Sequence, residues 1–127
     1  MTHYFTLAEA NAALQIIKPL MEKIQAIRQN ILVQKPEAWP VVEKAAGNGG
    51  SKAASLLAMD FEQLDQYVHQ IQATGAVLKD ISLGLLDFSA WRDDHEVCLC
   101  WKYGEHDIEY WHDIEAGFAG RQPIEMF

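Results

Sequence analysis

Glu96-Val97-Cys98-Leu99-Cys100-Trp101-Lys102-Tyr103-Gly104-Glu105 decides the fold, because apolar and polar side chains alternate along it. A period of two puts Val97, Leu99, Trp101 and Tyr103 on one face of a strand and Cys98, Cys100 and Lys102 on the other. Leu86-Asp87-Phe88-Ser89-Ala90 and the stretch from Asp107 to His112 alternate in the same way, which predicts three short antiparallel strands. Gly104-Glu105 fits a two-residue type II′ turn with glycine first. Counting back from that turn pairs Lys102 with Asp107, Cys100 with Glu109 and Cys98 with Trp111. A second turn at Asp93-Asp94 brings Asp87 opposite Cys100. On this register Leu86, Phe88, Val97, Leu99, Trp101, Tyr103, Ile108 and Tyr110 form the face that packs on the rest of the protein. Asp87, Ser89, Cys98, Cys100, Lys102, Asp107, Glu109 and Trp111 form the other.

Upstream the period is helical. Thr6 with Glu9 three residues later is a capping-box pattern, so a helix is predicted from Leu7. Leu7, Ala10, Leu14, Ile17, Met21, Ile24 and Ile31 follow in alternating steps of three and four, broken only by Arg28 where the next apolar residue would fall, the spacing of a seam that packs on another helix. Pro19 interrupts the run and predicts a kink or a restart. Twenty-eight residues to Gln34 make roughly 42 Å at 1.5 Å each, against a radius of gyration of about 14 Å for a domain of this size. A protruding hairpin is expected. Two prolines and a glycine cluster mark residues 35–50 as the loop at its tip, with room for a short helix, and Trp39 there has no evident partner. A second seam, Leu57, Phe61, Leu64, Val68 and Ile71, ends near Thr74-Gly75 and returns antiparallel to the first.

The chain has 127 residues, half of them hydrophobic, and a formal net charge of −8. That is material for one domain with a real core. Residues 1–78 hold six Lys or Arg against seven Asp or Glu, while residues 79–127 hold four against eleven. So acidic a C-terminal part, with no basic stripe elsewhere, argues against nucleic acid as a partner. No apolar run reaches membrane-spanning length and Met1-Thr2-His3 opens no secretory signal, so a cytoplasmic protein without membrane attachment is expected. Cys98 and Cys100, the only cysteines, stand at the outer limit for a disulfide within a strand and read as reduced thiols.

The motifs, in order, are Tyr4-Phe5-Thr6-Leu7-Ala8-Glu9-Ala10-Asn11, Lys79-Asp80, Gly84-Leu85-Leu86-Asp87-Phe88, Leu99-Cys100-Trp101, Gly104-Glu105, Trp111-His112 and Gly117-Phe118-Ala119-Gly120-Arg121. Across nearly the whole chain this pattern resembles the domain-of-unknown-function 2203 family of prokaryotic proteins. Asp93-Asp94-His95 departs from the glycine that the family often has in that turn. The family has no assigned activity, so the resemblance implies a residue pattern and no chemistry.

Candidate chemistry gathers in the last third. Asp87, Cys100, Glu105, His106, Glu109 and His112 offer mixed carboxylate, thiol and imidazole ligands that suit zinc or another borderline divalent ion. The expected register separates them, with Asp87, Cys100 and Glu109 on one face and His112, beside Trp111, on the other with His106. Two carboxylates flanking Cys100 would disfavour its thiolate, and the bland reading of Cys100 is a small buried hydrophobe. His112 likewise reads as a core histidine bonded to a carboxylate. Arg121, after the glycines of the tail, either clamps an anionic ligand or pins the tail through Asp87, Glu105 or Asp113. No nucleophile elbow, phosphate-cradling loop or kinase signature is present, and whether the chain is an enzyme stays open.

These readings give an α+β fold, a single domain over 1–127. A long antiparallel helical hairpin occupies residues 1–76, with its loop at 35–50, and a small three-stranded antiparallel sheet with an irregular tail occupies 77–127. Two functions follow. The hairpin is an interaction module whose seam pairs with a second copy, giving a homo-oligomer; or the C-terminal third binds a small molecule or a divalent metal, with Asp87, Cys100, Glu105 and Arg121 as ligand-binding candidates and His112 and Glu109 as metal ligands.

Overall fold

The computed structural model describes residues 2–47 and 58–126. Asn48-Gly49-Gly50 of the expected loop and Leu57 of the expected seam lie outside the described residues. Helix α1 spans Leu7–Gln34, α2 Trp39–Ala45 and α3 Ala58–Ala73; a 3-10 turn at Pro36–Ala38 leads into α2. Strands β1 (Val77–Asp80), β2 (Leu85–Arg92), β3 (His95–Lys102), β4 (Tyr110–Asp113) and β5 (Gln122–Pro123) form one antiparallel sheet in that order.

The start of α1 follows from its cap. Glu9 N donates to Thr6 Oγ1 at 3.1 Å and Thr6 N donates to Glu9 Oε1 at 2.9 Å, satisfying two orphan amides at once. The helix runs unbroken to Gln34 with Pro19 inside it. Lys23 lies over the Tyr67 ring and Asn30 bonds Asp60, so α3 runs back along α1 as expected of an antiparallel pair.

The hairpin does not protrude. Phe5 N bonds Ser89 O, Ile108 N bonds Asn11 Oδ1, and Gln25 Nε2 bonds Ile81 O, so the sheet accompanies α1 for most of its length. The outer turns are covered by α2, where Trp39 is buried, lies against the Arg28 guanidinium and donates from Nε1 to Ser82 Oγ at 3.0 Å. Trp39 is therefore a bolt between α2 and the β1–β2 turn instead of a free tip. Ala10, Leu14, Ile17, Met21, Ile24 and Ile31 are buried within this one chain, and no second copy is needed to cover them. The same turn shows why Gly84 is glycine: its φ is +65°, and a Cβ there would stand 2.5 Å from Tyr103 Cβ.

The sheet has five strands where three were expected. Strand β1 is four residues long and β5 two, the latter ending on Pro123; neither is long enough to show a period. The β2–β3 hairpin has the expected register, Asp87 opposite Cys100, around the Asp93-Asp94 turn, with Asp93 at φ +57°. Strand β4 differs. Cys100 faces Tyr110, Leu99 faces Trp111 and Cys98 faces His112, one residue away from the expected pairing. The expected two-residue hairpin turn at Gly104-Glu105 does not form; a β-turn centred on Tyr103-Gly104 takes its place. Residues 103–109 make a wider loop held by Glu105 N to Lys102 O, Lys102 N to Glu105 Oε1 and Trp101 Nε1 to Glu105 O. Because side chains alternate, a slip of one residue turns every β4 side chain to the opposite face. Trp111 joins Leu99 and Trp101 in the core, and Tyr110 and His112 join Asp87 and Cys100. Tyr103, expected in the core, is exposed. Among the described residues no helix is long and apolar enough to cross a membrane.

Candidate metal centre

Three neighbouring strands each contribute one side chain to the sheet face turned away from the helices: Asp87 from β2, Cys100 from β3 and His112 from β4. Asp87 and Cys100 are a directly opposed pair, and His112 sits one step along on the far side of β3. One donor atom from each lies within 4.8 Å of the other two. Asp87 is 5% exposed, His112 3% and Cys100 0%; among the described residues Asp87 and His112 are the buried polar side chains. Groups of this kind persist in an interior only when hydrogen-bonded.

They are bonded to each other. His112 Nε2 stands 3.0 Å from Asp87 Oδ1, and His112 Nδ1 stands 2.8 Å from the Asp113 carbonyl oxygen. A carbonyl only accepts, so Nδ1 carries a proton, and one further proton lies between Nε2 and Oδ1. The Cys100 thiol is pushed up to about 12, first by burial and then by the Asp87 charge, against which Arg121 pulls the other way. Cys98, half-buried on the same face, is raised to about 11, again chiefly by burial and then by Asp87. Both cysteines are free thiols. Neither is activated as a nucleophile, which agrees with the reading of Cys100 drawn from its acidic neighbour.

The remaining candidates separate from this cluster. Glu105 lies on the β3–β4 loop, where both of its carboxylate oxygens accept from Arg121 Nη2, at 2.6 and 2.7 Å. The Arg121 guanidinium lies 4.0 Å from the centre of the Tyr110 ring and 4.6 Å from that of Phe118. Arg121 therefore pins the tail to the sheet through Glu105, one of the three partners expected for it. Glu109, expected opposite Cys100, is exposed just before β4, and its carbonyl oxygen accepts from Ile124 N; the register slip removes it from the cluster. His106 is exposed beside Asp107.

His112 is buried and bonded to a carboxylate as the sequence predicts, but on the face of Asp87 instead of the apolar one, and one signal pointed there. In Tyr110-Trp111-His112-Asp113 the bulkiest apolar side chain is Trp111, and giving it the core face sends His112 to the face of Asp87 and Cys100.

A family model described as an uncharacterized conserved protein, DUF2203, matches residues 3–124. No curated protein and no solved structure matches the chain. The chain belongs to the DUF2203 family.

Proposed function

We propose that this DUF2203 member binds one divalent transition-metal ion, of the zinc class, through Asp87, Cys100 and His112. The observation that supports the reading is the meeting of oxygen, sulfur and nitrogen donors within 4.8 Å in a buried site. Such a mixed set favours a borderline ion over magnesium or calcium, which take shells of oxygen. The bond from His112 Nδ1–H to the Asp113 carbonyl is the outer contact that metal-bound histidines keep, and it aims Nε2 into the site. Charge also balances. Loss of the thiol proton and of the proton between Nε2 and Oδ1 leaves two negative charges, which a divalent ion neutralises without stranding a net charge indoors. Three protein ligands leave one tetrahedral position for water or a small anion. The rival reading, an interaction module pairing through its helices, loses its main support because, among the described residues, the seam from Ala10 to Ile31 and from Phe61 to Ile71 is buried within the chain.

The test is elemental analysis of protein purified without an affinity tag, incubated with zinc and dialysed, together with cobalt substitution. About one equivalent of metal is expected in the wild type and in Glu109→Gln, with a thiolate-to-cobalt absorption band that disappears in Cys100→Ser. A wild type without stoichiometric metal, or a Cys100→Ser variant that keeps both the metal and the band, overturns the proposal.

A further inference from the structure

Asp87, Cys100 and His112 lie on the sheet face opposite the helices, yet they are almost wholly buried. Among the described residues, the tail after β4 reaches this face beside Lys102 and Tyr110, while Tyr4 meets it at its other end, against Trp91 and Glu96. The tail is tied down at each end. Ala116 N bonds Asp113 O next to β4, and β5 pairs Gln122 and Pro123 with Trp111 and Tyr110. Between these ties the tail holds on through two side chains. Phe118 takes the Lys102 ammonium on its ring, and Arg121, set against the rings of Tyr110 and Phe118, bonds Glu105. Lys102 and Tyr110 belong to the same face as the cluster. The turn at Phe118–Gly120 is packed tightly enough that a Cβ on Gly120 would stand 2.5 Å from Ala116 Cβ. Glu115, Ala116 and Ala119 face solvent, and Ile114 and Phe118 are exposed large apolar side chains.

We propose that residues 114–121 are a latch over the Asp87–Cys100–His112 cluster, closed by the Arg121–Glu105 pair, and that its opening sets the rate at which a metal ion enters and leaves. The second half of this inference rests on the metal reading above; the first does not. The segment is anchored at both ends and carries little buried apolar area between them, so it opens locally without unfolding the sheet. The Arg121–Glu105 pair is charge-assisted and partly buried, with side chains 13% and 21% exposed, so its loss shifts local opening by about tenfold or more.

Metal-free protein carrying Cys98→Ser leaves Cys100 as its one thiol, whose labelling by a disulfide reagent reads the latch. Labelling is expected to be slow in that background and about tenfold or more faster when Arg121→Gln or Glu105→Gln is added, with rates that stay flat across low urea. A local opening exposes little surface, whereas global unfolding accelerates steeply with denaturant. Zinc extraction by a chelator should accelerate by a similar factor at unchanged stoichiometry. Unaltered labelling in both variants, or rates that climb with urea as steeply as global unfolding, overturns the latch. Faster labelling in a protein that holds no zinc would keep the latch and sink the metal site. Stoichiometric zinc with unaltered labelling would do the reverse.

Discussion

Replacing His112 by leucine in metal-free protein tests whether the buried pair is a pair at all. In the native sheet His112 Nε2 faces Asp87 Oδ1 at 3.0 Å, with the two side chains 3% and 7% exposed. Leucine fills much of the imidazole volume, so the cavity contribution is small and the electrical one remains. Among the described residues the Cys100 thiol is the neighbour left to bond Asp87, which is almost wholly buried from water. Removing one partner of a buried charged pair costs about 3–5 kcal/mol, because the other is left uncompensated. The lost bond to the Asp113 carbonyl adds about 1 kcal/mol at most, since Asp113 is exposed and water replaces it. With a urea m-value of about 2 kcal/mol/M for a small protein, a loss of about 3 kcal/mol moves the unfolding midpoint down by about 1.5 M. Asp87→Leu should cost a similar amount by orphaning the imidazole. The double variant decides the argument: with both polar groups gone, its cost should fall short of the summed single costs by about 2 kcal/mol or more. Urea titrations of the four proteins in the presence of a chelator measure this. Strictly additive costs, or a His112→Leu midpoint within about 0.3 M of wild type, would refute the coupling and with it the account of why these residues tolerate burial.

Two further outcomes follow from the same coordinates. The Cys100 thiol is raised in the folded protein from 9.0 to about 12 while the unfolded chain keeps the ordinary value, so the unfolded state loses its proton first as pH rises. Metal-free protein should therefore lose stability above pH 9 at about 1.4 kcal/mol per pH unit from this group alone, a slope that Cys100→Ala removes; parallel pH–stability curves for the two proteins would contradict it. Gly84→Ala should destabilise by about 1–3 kcal/mol through its positive φ and the approach to Tyr103 Cβ, read as a drop of several degrees in melting temperature; an unchanged melt would show that the β1–β2 turn yields freely.

Legibility in the sequence followed the range of the interaction that specifies each element. The capping box, the extent of α1, the return of α3 and the Asp87–Cys100 register are set by neighbours a few residues apart or by a two-residue turn, and all were readable. Trp39 was not, because its partners Arg28 and Ser82 come from α1 and from the β1–β2 turn, and no spacing rule joins them. The protruding arm failed for a related reason. Helix length compared with a domain radius says how far the helix reaches, but not that Ile81 would meet Gln25 or that α2 would fold back over the outer turns. The short strands β1 and β5 exist because a longer neighbour offers an open edge, a cause located outside their own residues.

The position of β4 is where a local preference lost to a global one, and the reason can be stated energetically. A tight turn at Gly104-Glu105 satisfies the hairpin rule, but it sets Glu109 opposite Cys100 on a face whose Asp87 and Cys100 are buried. Two carboxylates, Asp87 and Glu109, would lie buried around a thiol with no proton donor among them except the thiol itself. Trp111 would stand on that same face while His112 went into the apolar core without a carboxylate. Each of those burials costs on the order of 2 kcal/mol or more, whereas opening a two-residue turn into a seven-residue loop costs about 1 kcal/mol of closure entropy. The wider loop also recovers bonds, through Glu105 to the Lys102 amide and to Arg121 and through Trp101 to the Glu105 carbonyl. The displaced register buries an aspartate with a histidine that shares its proton, puts the indole among Leu99 and Trp101, and leaves Glu109 in water. Burial of the polar face thus selects the register, and the same selection assembles oxygen, sulfur and nitrogen donors at one point.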